Sequence, residues 1–195
     1  QPFQTRVKIL MEYKSVKKMA VIVSWTFIIL SVIEIIFGFI ITLTQLTFEG
    51  SNTTLASLLL DPNRVPLKGV FLWIFLNVFI LMYLSIGALL ILKFRNGPQE
   101  TPVKHEVLSK GLVLTGIFML ILTFIKFDYL LIFGDTEIDG EMGIQRALYD
   151  PSISPIHLAP LWIFFTAVSC YYLMIGLALT AVSLYWTLEL EKNSE

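Results

Sequence analysis

Polar and apolar residues along this chain are sorted into long blocks. Apolar runs occupy roughly residues 19–46, 69–92, 111–134 and 158–186. About 20 consecutive, mostly apolar residues suffice for an α-helix to cross the hydrocarbon core of a bilayer. The pattern therefore predicts four spanning helices and an all-α integral membrane protein. A soluble helical core is the alternative, but a chain of 195 residues cannot hide so many long apolar faces from water. The first run is longer than a signal-peptide core and no small-residue cleavage site follows it, so a retained helix is expected.

The polar stretches divide the chain into five parts: an N-terminal segment (1–18), a first helical hairpin (19–93), a polar linker (94–110), a second hairpin (111–187) and a tail (188–195). Asn-Gly-Pro and Thr-Pro steps in the linker mark turns rather than a further domain. In the N-terminal segment, Phe3, Val7, Leu10 and Met11 recur at helical spacing among basic residues. That is the pattern of a segment lying along a membrane surface.

Two stretches carry nearly the same phrase: LLDPNRVPLKGVFLWIFL (59–76) and LYDPSISPIHLAPLWIFF (148–165). Over 61–90 against 150–179, twelve of thirty positions are identical, among them Asp61/Asp150, Pro62/Pro151, Pro66/Pro155, Trp73/Trp162, Tyr83/Tyr172 and Gly87/Gly176. Apolar composition inflates matches among Leu, Ile and Phe, but it does not align aspartates, prolines and tryptophans. Glu49-Gly50 falls opposite Asp139-Gly140 after a slip of one residue. The expectation is a tandem repeat of two helical hairpins, both inserted in the same sense about an axis along the membrane normal. Each Asp-Pro is expected to cap a helix start. Short surface helices are expected over 55–60 and 144–149, before Pro66 and Pro155 launch the next spans.

Charge supplies an orientation. Arg6, Lys8, Lys14, Lys17 and Lys18 precede the first span, Lys93, Arg95, Lys104 and Lys110 lie between the second and third, and Lys192 follows the fourth. The other two loops hold Arg64, Lys68 and Arg146 among Glu49, Asp61, Asp135, Glu137, Asp139, Glu141 and Asp150. The excess of Lys and Arg places both termini in the cytoplasm. Trp73 and Trp162 near one end of their spans, and Tyr185 and Trp186 near the other, fit interfacial belts.

Composition narrows the function classes. A net charge of −1 gives no electrostatic reason for a nucleic-acid partner. Cys170 is the single cysteine, which excludes an intramolecular disulfide and multi-cysteine metal centres. No Gly-rich phosphate loop, Gly-x-Ser-x-Gly elbow or His-Glu-x-x-His pair occurs.

Charges inside spans are costly to insert and are candidates for function. Glu34 falls near the middle of the first span, Lys126 and Asp128 late in the third. Glu34 and Lys126 come out at similar depth, so the two are expected to pair; the pair either serves function or locks two helices, and Lys126 and Asp128 alternatively snorkel to water. His157 stands beside an acidic loop where the fourth span begins, whereas His105 belongs to the linker. With Asp128, Asp150 and Glu34, it offers carboxylate and imidazole ligands for copper, zinc or iron, or a proton relay. The plainer alternative is a helix-end histidine bonded to a carboxylate or carbonyl. A bis-histidine haem lacks its second membrane histidine. Asn52-Thr53-Thr54 is a glycosylation sequon in a loop expected outside the cell, and Gly87 and Gly176 are positions for close helix contact.

The stretch DPSISPIHLAP (150–160), together with Asp128, resembles the C-subunit of particulate methane and ammonia monooxygenases, the copper membrane monooxygenase family. The resemblance covers residues 128–157 and implies a copper or other divalent metal site using His157 and the carboxylate of Asp128. The family has another histidine four residues after that carboxylate; here the position is Ile132, and the interval to His157 is longer. The resemblance thus implies a degraded site in a scaffold or accessory subunit. Three readings follow. The first is a non-catalytic membrane subunit of a larger complex of oxidoreductase type, held among lipid and other subunits or in a homo-oligomer. The second is a metal-binding monooxygenase component. The third is a small proton-coupled carrier using Glu34, Lys126 and Asp128.

Overall fold

A computed structural model describes the backbone of residues 2–48, 50–96 and 102–192, and side chains over 14–48, 50–94 and 107–192. The side chains invoked above at Phe3, Arg6, Val7, Lys8, Leu10, Met11, Glu49, Arg95, Lys104 and His105 lie outside the described residues.

The chain runs α1 (Pro2–Leu43), a hairpin of β1 (Gln45–Phe48) and β2 (Ser51–Thr54), then α2 (Leu55–Leu60) and α3 (Leu67–Asn96). It continues with α4 (Pro102–Gly134), a hairpin of β3 (Glu137–Ile138) and β4 (Met142–Gly143), then α5 (Ile144–Tyr149) and α6 (Leu158–Lys192). Four stretches are long and apolar enough to cross a membrane: Lys14–Leu43, Leu67–Phe94, Val107–Gly134 and Leu158–Lys192. The short helices occupy the positions expected for them. The strands are an addition: Gln45, Thr47, Thr53 and Thr54 gave no run long enough to announce a sheet.

Turn chemistry explains the hairpins. Gly50 (φ 76°) lies between the paired Phe48 and Ser51, and Asp139 (φ 56°) and Gly140 (φ 72°) lie between Ile138 and Met142. A positive φ is sterically free for Gly and tolerated by Asp, which places these residue types at the tips. Thr54 then starts α2 with a capping box: its side chain accepts from the Ser57 amide, and the Ser57 hydroxyl accepts from the Thr54 amide.

Three expectations about boundaries change. Asp61 and Asp150 do not open helices; they are the C-caps of α2 and α5. Each carboxylate accepts from the amide two residues on, Asn63 (3.0 Å) and Ser152 (2.9 Å), an Asx turn that helix-start reasoning overlooks. Pro66 and Pro155 do launch the next helices, the amides of Gly69 and Leu158 donating to their carbonyls at 2.8 and 2.9 Å. The polar linker (94–110) is largely helical backbone, since α3 reaches Asn96 and α4 begins at Pro102. Pro at the first helical position loses no internal hydrogen bond. The N-terminal segment (1–18) likewise forms one helix with the first span from Pro2 onward.

The chain packs as two units. One comprises residues 30–83 and 124–170 and contains both hairpins and both short helices. Its core gathers Ile41, Leu46, Leu55, Leu58, Val65, Phe133, Ile138, Ile144, Leu148 and Trp162. The ring of Phe133 stacks on Trp73 at 5.2 Å and lies 6.0 Å from Trp162. Two long-range links tie its loops. The Thr47 amide donates to the Ile153 carbonyl at 2.8 Å, and Arg64 grips Asp139 through Nε and Nη2 (2.8 Å for the latter). The Asp139 amide returns a bond to the Arg64 carbonyl at 2.7 Å, and the guanidinium covers the Phe48 ring at 5.6 Å. A fork of this geometry is stronger than a simple surface pair, but its side chains keep 23% exposure, so water screens it. Arg64→Ala is expected to lower stability by about 1 kcal/mol and to speed amide exchange at Asp139 at least tenfold, read by hydrogen exchange in micelles.

The other unit comprises residues 1–29, 84–123 and 171–195. Its described helices meet at small residues. A Cβ on Gly87 would lie 2.8 Å from the Ser24 carbonyl oxygen. One on Gly116 would fall on the Thr180 hydroxyl and 2.9 Å from the Thr180 nitrogen; one on Gly176 would touch Leu120 at 3.0 Å. Phe27 and Tyr172 pack edge to face at 5.5 Å, both fully buried.

Candidate functional site: an ion pair buried between two spans

Within the hairpin-bearing unit, α1 supplies Glu34 and α4 supplies Lys126. Both are at 0% exposure, and Lys126 Nζ donates to Glu34 Oε1. The ammonium also lies 5.5 Å from the centroid of the Tyr83 ring, whose face is electron-rich. Two charges removed from water must neutralise one another, because each alone would carry its full desolvation cost. Burial and pairing together make this a closed device joining α1 and α4.

A cavity of about 10 Å³ adjoins the pair, lined by Gly38, Asn77, Lys126, Leu130, Trp162 and Phe165 among others. That is room for about one water. Asn77 helps line it while its amide donates to the Trp73 carbonyl at 2.8 Å, so its polar side chain is used within its own helix. Sequence reasoning missed both Tyr83 and Asn77. Tyr83 had a signal in its match with Tyr172; Asn77 stood alone in an apolar run and gave none.

Asp128 is separated from this site by helix geometry. Two residues beyond Lys126, it is turned about 200° around α4, and it is exposed. His157 is exposed in the residue before α6. No group of three or more His, Cys, Asp or Glu able to hold a metal forms among the described residues. Asp150 is occupied locally: the Ser152 hydroxyl (2.6 Å) and amide hold its carboxyl below the usual carboxylate range. A depressed folded-state pKa adds stability above the ordinary carboxylate range that is lost as pH falls through the lowered value. Asn52 is exposed on β2, its carbonyl accepting from the Thr47 hydroxyl at 3.3 Å. Cys170 is exposed on α6.

The four long apolar helices and the in-span ion pair define the chain as a helical integral membrane protein. Comparison with known protein families, characterised proteins and solved structures gives no match.

Proposed function

We propose that this chain is a non-catalytic, membrane-embedded subunit of a larger membrane complex, of oxidoreductase type, with both termini in the cytoplasm. The observation that carries the reading is how the interior charges are used. Glu34 and Lys126 neutralise each other at full burial, beside space for about one water. An interior of that kind holds helices in register. The space beside the pair is too small for a carrier's solute, which needs a cavity tens of times larger. The spans also bury only 28% to 33% of their most apolar windows within the chain, leaving long faces for lipid or neighbouring helices. The orientation rests on the excess of Lys and Arg in the segments assigned to the cytoplasm.

Part of this reading is an origin by tandem duplication. Its support is that each half runs long helix, β-hairpin, six-residue helix, long helix. The short helices start 89 residues apart at Leu55 and Ile144, the same interval that aligns Asp61 with Asp150 and Trp73 with Trp162. The metal-binding monooxygenase component remains the second reading, and exposed His157 is the feature that favours it. His157→Ala would then remove bound copper from the purified chain.

The native mass of the protein extracted from its own membranes tests the proposal. Other proteins in fixed ratio are expected with it. A particle at a simple multiple of 22.2 kDa would overturn the subunit reading.

A further inference from the structure

Asp128 is a charge that the interior leaves aside. It has no hydrogen bond, ion pair or other electrostatic partner among the described residues. On α4 its neighbours one turn either way, Phe124, Ile125, Leu131 and Ile132, are all apolar and all exposed. The carboxylate therefore sits alone on a greasy helix face.

Its depth can be read from the end of its helix. Both α4 and its apolar span end at Gly134. Asp128 precedes Gly134 by six residues, about 9 Å nearer the middle of the span. Side chains on a helix lean toward its N-terminus, here away from Gly134 and the nearer surface. Lys or Arg could reach back to water on a long stem, but a one-carbon stem cannot. An ionisable side chain so placed normally meets a protein partner.

We propose that this face of α4 docks a transmembrane helix of a different protein, and that a Lys or Arg on that helix pairs with Asp128. The inference rests on the subunit reading above and specifies its contact. Charge selects the occupant. A second copy brought face to face about a two-fold axis sets Asp128 against Asp128, like against like. The basic residues described in this unit do not fit either: Lys126 is held by Glu34, Arg64 by Asp139, and Arg146 lies on α5. Lys68 is the second residue of α3, at the very end of that span, whereas Asp128 lies well inside the end of its own. A lipid amine stays at the headgroup level, above this depth.

The test uses the full chain in its own membranes. A photo-crosslinking residue is placed at Ile125 or Ile132, with Leu177 on α6 as an exposed control. Asp128→Asn is purified in parallel. The expected result is a crosslink from 125 and 132, but not 177, to a partner span containing Lys or Arg. Asp128→Asn should recover at least tenfold less of that partner with an unchanged melting temperature of the isolated chain. Asp128→Lys should lose it too and regain it when the partner's cation is changed to Asp. Crosslinks only to lipid or to a second copy would overturn the proposal, as would full recovery of the partner with Asp128→Asn. If the unaltered chain purifies with no other protein, the subunit reading falls and this contact with it. If it holds a partner that Asp128→Asn holds equally, the contact alone falls.

Discussion

Lys126→Met, with Glu34 left in place, should destabilise the fold by about 3–5 kcal/mol. Glu34 is fully buried, and removing the ammonium takes away the charge that offsets its carboxylate. Glu34→Leu, with Lys126 kept, should cost a similar amount, tempered by the Tyr83 face that remains beside the ammonium. Combining Glu34→Leu with Lys126→Met removes both desolvation costs together. That double variant should lie within about 1 kcal/mol of the original or exceed it. Denaturant titration in micelles of the four proteins gives the coupling directly. The double variant also separates the functional readings. A helix lock predicts that it keeps the native particle intact, whereas a carrier predicts a stable protein with no flux in liposomes.

The second large effect is expected at the glycines of the other unit. Gly87→Ala puts a methyl group 2.8 Å from a backbone oxygen, that of Ser24, so no side-chain rotation relieves the clash. Gly116→Ala meets the Thr180 hydroxyl first and then its backbone nitrogen at 2.9 Å. Each should cost about 1–3 kcal/mol as helices move apart. Thr180→Ala should recover only part of the Gly116→Ala loss, because the backbone contact persists. Gly111→Ala is the control. Nothing lies within 4 Å of its Cβ, and the change should be neutral or raise stability by up to about 1 kcal/mol through helix propensity. Melting temperatures in one detergent rank the variants; equal losses at positions 111 and 116 would sink the packing account.

The spans were legible because bilayer thickness imposes a block length that composition alone reveals. The pairing of Glu34 with Lys126 was legible for a related reason: two isolated charges at one depth have few other partners. The hairpins were not, since β3 and β4 are two residues each and too short to show alternation. Gly50 and Gly140 were visible only as a faint match between loops, and positive φ is what that match encoded. Asp61 and Asp150 misled because an aspartate beside a proline resembles a helix start, while the Asx turn that it makes depends on the short helix ending there. Gly116 escaped notice altogether: its partner, Thr180, lies on another helix and no local spacing joins them.

The ion pair also sets a timetable for synthesis. Glu34 and Lys126 are 92 residues apart in the chain. At about 5–20 residues per second, Glu34 emerges from the ribosome roughly 5 to 20 s before Lys126 does. Until then the first two spans carry an acid into the membrane with no lysine across from it.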